Sequence, residues 1–133
     1  MKTLILLSSL LFSAHAFSTE TVPTREIQIS EEKATDTFSY YFGTVRVNQR
    51  SFVNYRITNT GSYPLNYQWG RMQGDPSFRA TTNCFGTLYP GQRCSFTIEY
   101  APYFQGYSNG LFEMQFDQGY GVRVYVSGNA VRW

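Results

Sequence analysis

A single histidine, His15, occurs in the 133 residues. Leucine is scarce after Phe12, which argues against a helical bundle. No apolar run reaches the ~18 residues of a membrane-spanning helix. Only 15% of the residues are charged, and the formal net charge is +2. No basic run is present, and attraction to nucleic acid or anionic lipid needs clustered positive charge, so neither partner is expected. The length supports one domain.

Residues 1–16 read as a secretory signal. Lys2 is the positive start, Leu4–Phe12 the apolar stretch, and Ala14-His15-Ala16 an A-x-A cleavage site, with the cut between Ala16 and Phe17. The expected location is therefore outside the cytoplasm: secreted, periplasmic or on the cell surface. Cleavage would take His15 and Lys2 with it, leaving nine arginines and Lys33 against nine acidic residues. A chain without histidine cannot build a Ser–His or Cys–His nucleophile pair. It cannot build a histidine metal site either, and two cysteines alone do not complete a four-ligand zinc site. No catalytic residue, metal or cofactor is expected.

Cys84 and Cys94 are the only cysteines. In an oxidising compartment two thiols usually bond. The segment between them holds Gly86, Pro90 and Gly91, so the chain can turn back and bring them together. Such a bridge would add ~2–3 kcal/mol. A redox-active pair is the alternative, but C-x-x-C spacing is missing, as is a neighbouring Lys or His to stabilise a thiolate.

What is plentiful is aromatic: eleven Tyr, eleven Phe and two Trp. Residues 17–37 are polar, with a possible first strand at Arg25–Ile29. A short capping helix over Ser30–Ala34 is the alternative reading of the stretch that follows. From Phe38 the hydrophobic period becomes two. Phe38, Tyr40 and Phe42 alternate, then Val53, Tyr55 and Ile57, then Leu65, Tyr67 and Trp69 on one face. After a loop at Gly70–Pro76 come Phe78 and Ala80, then Cys94, Phe96, Ile98 and Tyr100. Phe112, Met114 and Phe116 follow, and Val122, Val124 and Val126 return. Turn residues separate the runs about every ten positions, among them Asn59-Thr60-Gly61-Ser62 and Pro90-Gly91. The pattern predicts an all-β, antiparallel immunoglobulin-like β-sandwich of seven to eight strands with one disulfide, occupying residues 38–133.

Four features could carry chemistry. Gly106-Tyr107-Ser108-Asn109-Gly110 matches the nucleophile elbow G-x-S-x-G, which needs a strand before it, a helix after it and a histidine partner. The surroundings read as strand, so a glycine-flanked turn between strands is expected. Glu99, Glu113 and Asp117 are candidates for paired-carboxylate chemistry, but Glu99 and Glu113 alternate with core positions and are expected as solvated surface. Trp133 could end an outer-membrane barrel strand, yet Val131, Asn129, Ser127 and Tyr125 do not form an apolar lipid-facing row. Tyr41, Tyr63, Tyr89, Tyr103, Tyr107, Tyr120 and Tyr125 fall in turns or on the less apolar face. They form either cross-strand pairs on a half-exposed sheet or a contact surface. Tyr103, Phe104 and Tyr107 are the preferred binding cluster.

The order Phe42-Gly43-Thr44-Val45, Thr58-Asn59-Thr60-Gly61 with Pro64-Leu65, Cys84, Leu88-x-Pro90-Gly91-x-x-Cys94, Phe96-x-Ile98-x-Tyr100-x-Pro102, Gly106-x-x-x-Gly110 and Val126-x-Gly128 resembles the ASH/Hydin-type and bacterial choice-of-anchor D domains. These are relatives of the PapD-like and major-sperm-protein-like immunoglobulin folds. In that frame Asn59 and Gly61 would take a left-handed turn. The cysteines would tie the start of the central strand to its neighbour. The resemblance implies a binding or scaffolding role and brings no catalytic residues. The expected function is a non-enzymatic adaptor or accessory subunit that binds a protein, through an exposed strand edge or the Tyr-rich loops. The alternatives are a carbohydrate-binding module that uses surface tyrosines, a PapD-like assembly chaperone, and a small hydrolase.

Overall fold

The computed structural model describes residues 22–31 and 35–132. The signal stretch, its Ala16/Phe17 cleavage point, His15 and Trp133 lie outside them, as does most of the alternative capping helix. Nine strands follow one another: β1 (Thr24–Ile29), β2 (Asp36–Arg46), β3 (Ser51–Asn59), β4 (Leu65–Gly74), β5 (Phe78–Thr82), β6 (Thr87–Leu88), β7 (Arg93–Tyr100), β8 (Gly106–Phe116) and β9 (Gly121–Val131). They form a four-stranded sheet, β1-β3-β7-β5, and a five-stranded sheet, β2-β9-β8-β4-β6. The result is a β-sandwich with no helix among the described residues.

The period-two runs fold as strands because each lays one row of apolar side chains on the other sheet. Val53, Tyr55 and Ile57 meet Phe96 and Ile98 from one sheet, and Phe112, Met114, Phe116, Val122 and Val124 come from the other; all are buried. Aromatic pairs organise this interior. Tyr55 stacks on Phe96 with centroids 5.1 Å apart, Phe78 on Tyr100 at 4.8 Å, and Phe96 meets Phe112 across the sandwich at 4.5 Å.

Several expectations are corrected. Nine strands form instead of seven or eight, because the two-residue β6 is too short for any periodicity to reveal. The sheets are not antiparallel throughout. β1 adds to β3 in parallel, and β2 adds to β9 in parallel. Both are edge strands, so the N-terminal part of the chain covers one edge of each sheet. The stretch Gly70–Gly74 is strand, not loop, and continues β4 against β8. Gly106–Gly110 is also strand, the first half of β8, paired with Val126–Ala130.

Two bulges shift the alternation. Between Tyr41 and Thr44 the register slips where Gly43 has φ +82°, a conformation open to glycine. Between Tyr67 and Trp69 an extra residue, Gln68, turns Trp69 outward, so Leu65, Tyr67 and Trp69 do not share a face. Asn59 and Gly61 have no left-handed backbone. Asn59 is instead a buried polar bracket. Its Nδ2 donates to the carbonyls of Tyr63 and Leu88, both at 2.9 Å, and its Oδ1 accepts from the Gly61 N–H at 2.9 Å. A Cβ on Gly61 would lie 2.8 Å from Ser30 Cβ and displace the Glu31 carboxylate, so glycine fits the close approach of this turn to residues 30 and 31.

Cys84 and Cys94 are bonded, with Cα atoms 5.0 Å apart. Cys94 lies at the start of β7. Cys84 follows β5, the neighbour of β7, where the chain leaves one sheet to enter the other as β6. Asn83 N–H donates to the Ser95 carbonyl at 3.1 Å, and Ser95 N–H donates to Asn83 Oδ1 at 2.8 Å, so one backbone and one side-chain hydrogen bond flank the bridge.

Candidate binding surface

The strand directions bring three connections to one end of the sandwich: residues 47–50 between β2 and β3, residues 75–77 between β4 and β5, and residues 101–105 between β7 and β8. Asn48, with φ +73°, lets the first turn close, and its N–H donates to the Pro102 carbonyl at 3.0 Å. Ala101 N–H donates to the Ser77 carbonyl at 2.8 Å. The three connections are thereby tied together, with Pro102 buried among them.

Tyr103 and Phe104 project from the last of these connections, 56% and 78% exposed, their rings edge to face at 6.5 Å. Tyr107 is not a loop residue. It stands in β8 opposite Asn129, on the outer face of the five-stranded sheet, and is 75% exposed. The expected cluster thus sits at one end but is split between a loop and a sheet face. Beside it is a groove of about 170 Å³ whose walls include Arg50, Ser77, Arg79, Glu99, Pro102 and Tyr103. Arg50 Nε lies 3.3 Å from Glu99 Oε2, and Arg79 is the cross-strand neighbour of Glu99. The arginines escaped the sequence reading because they lie 29 positions apart, in a turn and a strand, and only the topology joins them.

Asp75 closes this end from within. Burial works against its charge, but hydrogen bonds from Ser77, whose N–H is 2.8 Å from Oδ1, and from Ser108 outweigh that. Its pKa lies below the usual carboxylate value. Ser108 thus lies beside the Asp75 carboxylate. Its surroundings are strand on both sides, which is not the strand-turn-helix of a nucleophile elbow. The Tyr100 hydroxyl is buried beside Ser108 with no partner in hydrogen-bonding geometry among the described residues, and burial raises its pKa.

The acidic candidates do not converge. Glu99 is on the outer face of the four-stranded sheet and Glu113 on the outer face of the five-stranded one, with the core between them. They are not freely solvated either. Glu113 is held between Arg123 Nε at 3.2 Å and Arg71 Nη2 at 3.4 Å. Asp117 accepts from Asn66 N–H at 2.9 Å and Asn66 Nδ2 at 2.7 Å.

Of the seven tyrosines expected outside the core, Tyr120 is the exception. It is fully buried and donates its hydroxyl to Asp36 Oδ2 at 3.2 Å. The turn before it places Gln118 and Gly119 both at positive φ, which swings residue 120 back under the sheet. Tyr41 and Tyr125 stand on the outer face of the five-stranded sheet. With Ser39, Asn109 and Ser127 they line a shallow groove of about 410 Å³.

No protein-family model matches the chain, and no curated protein matches it in sequence. Solved structures do. The chain is similar to the ASH/PapD-like domain 7 of human CEP192, at TM-score 0.59 and 14% identity, over 74% of this chain and 84% of that domain. It is also similar to two protease structures from Vibrio cholerae. For the secreted serine protease VesC the TM-score is 0.54 with 19% identity over 68% of this chain, and for the VesB protease 0.55 with 13% identity over 90%. The chain spans about a fifth of VesC and a third of VesB. The fold is of the ASH/PapD-like immunoglobulin type.

Proposed function

We propose that the protein is an exported, non-enzymatic adaptor or accessory subunit, periplasmic or on the cell surface, which holds a protein partner at the end of the sandwich bearing Tyr103, Phe104 and Tyr107. The observation that carries this reading is the exposure of three large aromatic side chains at an end whose connections are hydrogen-bonded to one another. Aromatic area on a fixed scaffold favours association, because little side-chain and loop freedom is lost on binding. The open backbone of the edge strands offers a second means of holding an extended segment.

A photo-crosslinking side chain placed at Phe104 or Tyr107 in the native compartment, with mass spectrometry of the adducts, tests it. The expected result is one recurrent partner that is absent when the crosslinker stands at Thr58, on the outer face of the other sheet. Equal adducts at all three positions would reject the reading.

A second reading is favoured by the groove between Tyr41 and Tyr125. Tyrosine rings with neutral hydroxyl and amide neighbours suit stacking on sugars. A glycan array on the parent and on Tyr41→Ala and Tyr125→Ala decides it: saccharide binding lost in both variants favours a carbohydrate-binding module.

A further inference from the structure

The charges are sorted to opposite ends of the sandwich, although no run of the sequence announces it. Because β2 and β9 are parallel while β5 and β7 are antiparallel, the end with Tyr103 collects, among the described residues, Arg46, Arg50, Arg79 and Arg132 against Glu99 and Asp75. Among the described residues the opposite end collects Glu31, Asp36 and Asp117 against Arg93, while Arg123, one register position further in than Asp36, is taken up by Glu113. The nine residues of β3 separate the two ends by about 30 Å at ~3.4 Å per residue. That exceeds the ~8 Å screening length at physiological salt, so the ends do not neutralise each other within one molecule.

The acidic end is also a shaped site. A groove of about 640 Å³ is lined by Glu31, Tyr63, Pro64, Asn66, Asp117 and Gln118, with no basic side chain among the described residues of its wall. Its carboxylates are held in place. Glu31 accepts the Ser62 N–H at 3.1 Å, and Asp117 is fixed by Asn66. Tyr63 stands exposed at its rim. The basic end offers the reverse: Arg50 and Arg79 on an exposed groove, with Tyr103 on its wall. Each end thus pairs an aromatic side chain with charge opposite to that of the other end.

We propose that copies of this chain associate head to tail, the arginine end of one on the acidic groove of the next. The occupant of each end is a second copy, because the complementary charge is present on the same molecule. The contact uses two different surfaces, so it leaves one free end on every chain and continues past the dimer unless a ring closes. Exposed charge pairs make it weak and sensitive to salt. This inference goes beyond the partner reading above and does not depend on it.

Sedimentation velocity of the purified protein over a range of concentrations tests it. At about 20 mM salt, where screening is slight, the weight-average sedimentation coefficient is expected to rise with concentration past the dimer value. At about 500 mM the rise should disappear. Arg50→Gln/Arg79→Gln and Glu31→Gln/Asp117→Asn should each remain monomeric at concentrations where the parent assembles. Mixed in equal amounts, the two variants should form a pair of chains and nothing larger, since one intact contact remains between them. Circular dichroism and thermal melts check that the variants are folded. Should the acidic-end variant fail to fold, the arginine variant, altered at exposed side chains, still decides the matter. A parent that stays monomeric at low salt, or one whose assembly survives the arginine substitutions, overturns the proposal.

Discussion

The ring of Tyr100 lies against Gly128, in the space that a β-carbon on residue 128 would occupy. Tyr100 is on β7 of one sheet and Gly128 on β9 of the other, so this approach sets how closely the sheets meet. The ring cannot withdraw, because it is fully buried and stacked on Phe78 at 4.8 Å. Gly128→Ala should therefore force an overpacked core and cost ~1–3 kcal/mol. Urea unfolding should show a lower midpoint at an unchanged slope. A midpoint equal to that of the parent would show that the sheets can separate freely here.

Asn59 is the polar counterpart of that contact. Its amide satisfies two carbonyls and one N–H where the chain passes from β3 towards β4. Asn59→Ala leaves the buried Leu88 carbonyl, and the half-buried Tyr63 carbonyl and Gly61 N–H, without their partner, and the expected cost is ~1–3 kcal/mol. Asn59→Asp should cost at least as much at neutral pH, because a carboxylate cannot donate to the carbonyls of Tyr63 and Leu88. Chemical denaturation of both variants checks the order. Equal stability of the parent and Asn59→Ala would mean that water replaces the amide.

The sequence made the layers, the disulfide and most of the core legible, because alternation and turn residues act locally. Val53, Tyr55 and Ile57 could point inward only as a set. What it concealed depends on register or on the meeting of distant segments. One extra residue at Gln68 sends Trp69 to the opposite face, and no composition signal marks that slip. Parallel addition of β1 and β2 leaves the same alternation as antiparallel addition would. Tyr120 looked like a turn residue until Gln118 and Gly119, both at positive φ, folded it under the sheet. The Tyr103 and Phe104 loop was readable because Pro102 ends a strand. Arg50 and Arg79 were not, since their proximity exists only after β5 and β7 pair.

The bridge between Cys84 and Cys94 closes a loop of about ten residues, for which chain entropy alone gives ~3 kcal/mol. It also pins the crossing from β5 to β6, where little core is available. Cys84→Ala/Cys94→Ala should lower unfolding free energy by ~2–3 kcal/mol. Faster amide exchange in the native state should be confined to Thr82–Leu88, with β3, β8 and β9 protected as before. Uniformly faster exchange in every strand would assign the bridge a global role, against the local one argued from its position.

High pH should expose the buried phenols. Burial raises the pKa of Tyr55, Tyr100 and, most of all, Tyr120, whose neighbour Asp36 further opposes a second negative charge. In the unfolded chain these groups ionise near ~10. Their native pKa values lie higher, so the folded protein holds more protons above that pH. Stability is then fully present below ~10 and falls as pH rises beyond it, by up to ~1.4 kcal/mol per pH unit for each such phenol. Tyr120→Phe removes one of the three. At pH 7 it should be weaker than the parent by ~0.5–1.5 kcal/mol for the lost hydrogen bond to Asp36. Above ~10 its stability should decline less steeply, so the difference from the parent shrinks as the solution becomes more alkaline. Urea titrations from neutral to strongly alkaline pH measure both slopes. Parallel curves would mean that the Tyr120 hydroxyl reaches solvent in the folded state.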